Sequence, residues 1–127
     1  MKKWVAIFAV CFLVFQLSTV YVYASELMDK FSVRITVEAE NTIYEWEYDS
    51  PNRYEYEKGE TVLKDERAKA EVINLVRMIG LGEQAKVEEM VNRLKKDRFP
   101  SMERFEARFI NEEGKLFTWV WKADHAS

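Results

Sequence analysis

Between Phe31 and Tyr56 the chain reads FSVRITVEAENTIYEWEYDSPNRYEY, and its apolar side chains recur at every second position. Phe31, Val33, Ile35, Val37 and Ala39 alternate with Ser32, Arg34, Thr36 and Glu38, and Tyr44, Trp46 and Tyr48 alternate with Glu45, Glu47 and Asp49. That period belongs to strands with one buried face. A two-residue turn at Glu40 and Asn41 sets Val37 opposite Tyr44, Ile35 opposite Trp46 and Val33 opposite Tyr48. On the other face the same register pairs Arg34 with Glu47. A slip of one residue would send every large side chain to the wrong face, so the pairing is strongly specified. Asn41 tolerates the positive φ that such a turn requires.

A third strand follows Pro51 and Asn52, a turn signal. For Tyr54 and Tyr56 to join the aromatic face, the loop must hold an odd number of residues. A loop of Pro51, Asn52 and Arg53 meets that condition and sets Asp49 opposite Glu55 and Glu47 opposite Glu57. Like charges directly opposite destabilise a sheet. The four carboxylates Glu47, Asp49, Glu55 and Glu57 therefore read first as a solvated acidic face, and second as a weak cation site. Calcium sites normally add carbonyl and amide oxygens from a shaped loop, and no such loop is evident.

The N-terminal stretch MKKWVAIFAVCFLVFQLSTVYVYA has the form of a targeting segment. Lys2 and Lys3 precede an apolar run from Trp4 to Phe15, and Val22 and Ala24 supply the small residues of a cleavage site before Ser25. The same stretch is long enough to serve as an uncleaved N-terminal anchor. Either way residues 1–24 export the remainder, and residues 25–127 form a single small α+β domain with a frayed tail from Lys122 onward. The expected location is secreted, or the extracytoplasmic face of a bacterial membrane, with membrane contact only if the segment is uncleaved. The single cysteine, Cys11, lies within the apolar run, so the exported part has no disulfide and no thiol. The formal charge of −3 becomes more negative once Lys2 and Lys3 are lost, which argues against nucleic acid.

After Gly59 the periodicity changes. Ala68, Val72, Leu75, Val76 and Ile79 fall at helical spacing, with Asp65 and Glu66 at the start, Arg77 near the end, and Gly80 and Gly82 as terminators. A second helix spans about Glu83 to Lys96, with Val87, Met90, Val91 and Leu94 on one side. Beyond a linker at 97–101 comes a hairpin, ERFEARFINEEGKLFTWVW. Its three-residue loop of Glu112, Glu113 and Gly114 sets Phe109 opposite Phe117, Ala107 opposite Trp119 and Phe105 opposite Trp121. Ile110, Leu116 and Val120 point to the opposite face, as in a strand pair that is central or covered on both sides. The fold class is α+β, with an antiparallel sheet of about five strands in the order β-β-β-α-α-β-β, covered on one face by a two-helix hairpin.

This order of elements resembles the YusW-like family of small exported or lipid-anchored proteins of Bacillus and its relatives. The residues that carry the likeness are FSVRITV, YEWEYD, KAEVINLVRMIGL, KVEEMVNRLKK and MERFEARFINEEGKLFTWVWK. Two features depart from the family pattern. The lipobox cysteine found in some members is absent, and the second helix ends in KKDRFP where the family more often has an apolar helix end. The resemblance implies fold and compartment and carries no activity.

Chemical signatures are sparse. His125 is the only histidine and lies in the tail, so no Ser-His-acid or histidine-metal arrangement can be assembled. No cofactor motif is present, and an enzyme is not expected. Tyr54, Tyr56 and Trp121 are the candidate interaction surface, should the aromatic side chains outnumber what two short helices can cover. The expected function is a non-enzymatic module that binds an envelope protein, a peptide or a cell-wall component, if need be by strand addition. The alternatives are a regulator or inhibitor of an exported hydrolase, and a structural protein that binds cations on its acidic face.

Overall fold

The computed structural model describes residues 26–124. The leader expected at 1–24 and the histidine at 125 lie outside them. The described chain is α+β, with one open antiparallel sheet of six strands and two helices. In chain order these are β1 (Lys30–Ala39), β2 (Thr42–Asp49), β3 (Arg53–Lys58), β4 (Thr61–Leu63), α1 (Glu66–Ile79), α2 (Val87–Asp97), β5 (Met102–Asn111) and β6 (Leu116–Lys122). Across the sheet the order is β4-β3-β2-β1-β5-β6, so the first strand is an inner one and β4 and β6 are the edges. No helix among the described residues is long and apolar enough to cross a membrane.

The β1–β2 hairpin has the register that alternation demands, with Val37 opposite Tyr44, Ile35 opposite Trp46 and Arg34 opposite Glu47. Glu40 and Asn41 both take positive φ, 53° and 59°, as a two-residue turn matched to strand twist requires. Phe31 departs from the pattern. A bulge between Lys30 and Ser32 turns Phe31 outward, 58% exposed, and buries Lys30 in its stead. The lysine is satisfied there: its Nζ donates to the Glu26 carbonyl at 3.0 Å and to Asp29 Oδ1 at 2.9 Å, and lies 5.3 Å from the centre of the Phe109 ring.

The β2–β3 register differs from the expected one by two residues. Asp49 faces Arg53, Glu47 faces Glu55 and Glu45 faces Glu57. A shift of two leaves every side chain on its own face, so alternation cannot choose between the registers. Pair chemistry can. The observed one sets Asp49 opposite a cation, brings the tilted rings of Tyr48 and Tyr54 to 5.2 Å and those of Trp46 and Tyr56 to 5.5 Å, and puts Pro51 at the loop apex, where a missing N–H costs nothing. The sixth strand is β4, which turns back on β3 through Gly59 (φ 58°) and Glu60. Three residues are too few to display a period.

Helix α1 begins at Asp65, whose side chain accepts the Arg67 N–H, and ends at Gly80 in the left-handed region, whose N–H bonds back to the last turn. Helix α2 starts at Val87, four residues later than its sequence suggests. Glu83 belongs to the preceding turn, which is closed by the Ala85 N–H to Gly82 carbonyl bond of 3.1 Å. There the Glu83 carboxylate accepts from Asn111 Nδ2 at 2.9 Å, tying the turn to the β5–β6 loop. The β5–β6 register is the expected one, and the strand runs through Lys122, with the Ala123 N–H still bonded to Glu103. The tail is therefore ordered as far as Ala123. Val33, Ile35, Val37, Trp46, Phe105, Ala107 and Phe109 from the sheet join Val72, Leu75, Val76, Ile79, Met90 and Leu94 from the helices in one buried cluster.

Candidate functional site

Three regions bear on function: the acidic part of the polar sheet face, an arginine seated among aromatic rings, and the free edge of β6.

On the polar face Arg34 stands among the acids. Its guanidinium bonds both Asp49 carboxylate oxygens at 3.1 and 3.0 Å, approaches Glu47 at 3.7 Å, and donates to the Val33 and Tyr48 carbonyls. Glu55 and Glu57 face Glu47 and Glu45 across β2–β3. A second charge ladder, Glu38–Arg104–Glu106–Arg108, lies on β1 and β5 with separations of 2.9 to 3.2 Å. Among the described residues no three acidic, histidine or cysteine side chains come together in a way that could hold a metal ion. The recess beside Arg34, about 650 Å³, is open and shared by acids with Arg53 and Lys64.

Glu47 carries a testable cost. Partial burial raises its carboxyl pKa first of all; Arg34 opposes the shift, and Glu55, Glu57 and Asp49 add to it. An acid whose native pKa is raised binds its proton more tightly folded than unfolded. Ionised Glu47 therefore subtracts stability at neutral pH, and the loss is recovered as pH falls through the carboxylate range. Glu47→Gln is expected to raise the melting temperature slightly at neutral pH, with the gain vanishing at about pH 4. Thermal melts at the two pH values check it; a loss of stability at neutral pH would overturn this account of the face.

The arginine site was hidden in the segment read as a linker. Arg98, the residue after α2, donates to Glu71 Oε2 at 2.9 Å and to the Tyr56 hydroxyl at 3.2 Å. Its guanidinium lies over Phe99 at 5.3 Å and Trp46 at 5.6 Å, and Trp46 Nε1 donates to the same Glu71 oxygen at 3.2 Å. Glu71, Arg98 and Tyr56 thus tie α1, the end of α2 and β3 together over the Trp46 indole. Burial pushes the Tyr56 phenol up, against the pull of Arg98. A small recess of about 160 Å³ opens beside Tyr44, Lys58, Arg98 and Ser101. With every nearby charge already paired or solvated, the geometry is that of a clamp.

The chain matches no family model, no curated protein and no solved structure. The likeness to the YusW-like family thus rests on its sequence pattern alone.

Of the aromatic candidates, Tyr56 is buried under Arg98 and presents no surface. Tyr54 is half-buried beside Tyr48, with Lys69 5.8 Å from its ring centre. Trp121 is half-buried on β6 under the Lys95 ammonium, 4.5 Å away. On the same strand Trp119 is half-buried, and its Nε1 donates to the Ala85 carbonyl at 2.9 Å. Of the three candidates, Trp121 is the one on an edge strand. Leu116 and Val120, on the other face of β6, are 57% and 59% exposed, because nothing among the described residues covers them on that face.

Proposed function

We propose that the chain is an exported, non-enzymatic interaction module that takes up an extended segment of a partner along β6. What supports this reading is the inequality of the two sheet edges. Sheets usually protect an edge by shortening it, charging it or breaking it with proline. The β4 edge has three residues, flanked by Glu60 and Lys64. The β6 edge has seven, LFTWVWK, with one charge at its end and no proline. In this reading the two-helix hairpin lies on one face of the sheet, over the row that includes Trp46 and Phe105. It leaves the polar face and the β6 edge to partners. The YusW-like likeness and the leader are part of the same proposal and give it its compartment.

Hydrogen exchange of the protein mixed with its own envelope fraction tests it. Added protection is expected at residues 116–122, and Thr118→Pro is expected to abolish it. Protection elsewhere with none on β6 would remove strand addition from consideration.

A further inference from the structure

Two hydrogen bonds at the ends of β6 fix which of its backbone groups are free. The Asn111 N–H bonds the Lys115 carbonyl at 3.0 Å, and the Ala123 N–H bonds the Glu103 carbonyl at 2.9 Å. The β5–β6 register between them is unbroken. In an antiparallel ladder, bonded and non-bonded pairs alternate. Phe117, Trp119 and Trp121 therefore direct their N–H and C=O toward β5, and Leu116, Thr118, Val120 and Lys122 direct theirs outward. Those four are also the residues of the polar sheet face.

The geometry points to a second copy of the same chain as the occupant of this edge, paired antiparallel about a two-fold axis at Trp119. This rests on the strand-addition reading and names its partner. The register sets Leu116 opposite the partner's Lys122 and Thr118 opposite the partner's Val120, so all four outward residues of each copy join bonded pairs. Trp119 meets the partner's Trp119, and Phe117 meets the partner's Trp121. No like charges oppose each other, since Lys122 is the only charged residue of β6 and faces Leu116.

Helix α2 supplies an independent argument. Arg93 reaches back to the Ile79 carbonyl at 3.1 Å, which turns the Glu89–Arg93 flank of α2 toward the end of α1. Lys95 lies over Trp121, which turns the opposite flank toward β6. At helical spacing that flank carries Glu88, Asn92 and Lys95. A two-fold perpendicular to the sheet runs the two α2 helices antiparallel on one side of it. Glu88 then approaches the partner's Lys95, Lys95 approaches the partner's Glu88, and Asn92 lies near the axis. The helix flank and the strand edge are self-complementary under one and the same operation, as an isologous interface requires.

One strand pair and two helix flanks make an interface at the small end of the range, so the dimer is expected to be concentration-dependent. Sedimentation velocity of the purified protein, in detergent if the leader is retained, should follow monomer and dimer across the micromolar range. Thr118→Pro removes an outward N–H and leaves the β5 ladder intact, and it should abolish the dimer. Ile43→Lys, on the polar face away from the edge, should not. Glu88→Lys should weaken the dimer about tenfold, and the double exchange with Lys95→Glu should recover most of that loss; circular dichroism confirms that each variant is folded. A monomer at every concentration, or a dimer indifferent to Thr118→Pro, overturns the proposal. Loss with Thr118→Pro but no recovery in the double exchange overturns the antiparallel arrangement. If the protein stays monomeric while the envelope fraction still protects residues 116–122, the self-pairing fails and the interaction-module reading stands.

Discussion

Replacing Trp46 with alanine is expected to cost about 3–5 kcal/mol of folding stability, the range for emptying a large aromatic site in a core. The indole is wholly buried, flanked by Tyr56 at 5.5 Å and Phe99 at 6.1 Å, with the Arg98 guanidinium above it. Its removal leaves a void beneath the clamp and takes a donor from Glu71. A small domain has about 5–15 kcal/mol in all, so the variant should melt at the edge of ambient temperature or fail to fold. Trp46→Phe separates the two contributions. It keeps most of the volume and loses the bond to Glu71, and about 1–2 kcal/mol is expected. Urea melts of the pair decide the matter. A loss below about 1 kcal/mol for the alanine variant would mean that Trp46 is not the centre of the core.

The second large effect is expected at Leu94. Alanine there should cost about 2–5 kcal/mol, because the side chain is fully buried on α2 and the site cannot collapse while the Leu94 carbonyl holds the N–H groups of Arg98 and Phe99 at 3.0 and 2.7 Å. Val120→Ala on the free edge is the companion measurement. More than half exposed, Val120 should change stability by no more than about 0.5 kcal/mol. Equal losses at the two positions would contradict the burial pattern.

Some pairings could be read from the sequence and others could not, and particular residues say why. Glu40–Asn41 and Gly114 fix two hairpins, because each turn is short and one register alone puts the aromatic residues together. The β2–β3 register escaped because two registers share the same faces, and only the Asp49–Arg53 and Trp46–Tyr56 pairs separate them. The start of α2 escaped because Lys86 provides no side-chain cap. Phe31 misled because a bulge breaks the period without changing the composition. Of the aromatic candidates, Trp121 lies on the edge strand beneath Lys95, and Tyr56 lies under Arg98, placements that depend on partners remote in the chain. The clamp and the free edge are both non-local. Arg98 meets Glu71 and Tyr56 far along the chain, and β6 is an edge only because β5 pairs with β1.

That last pairing governs how the chain can fold. The strands β1 to β4 form a meander from local turns, yet β1 keeps a bare flank until β5 arrives more than sixty residues later. Closing that loop carries an entropic penalty before any contact is gained, so docking of the β5–β6 hairpin should limit the rate of folding. While the docking is pending, Val33, Ile35 and Val37 sit on a strand with one flank unpaired, the state most open to capture by a neighbouring nascent chain. A chain released before Met102 would never satisfy that strand at all.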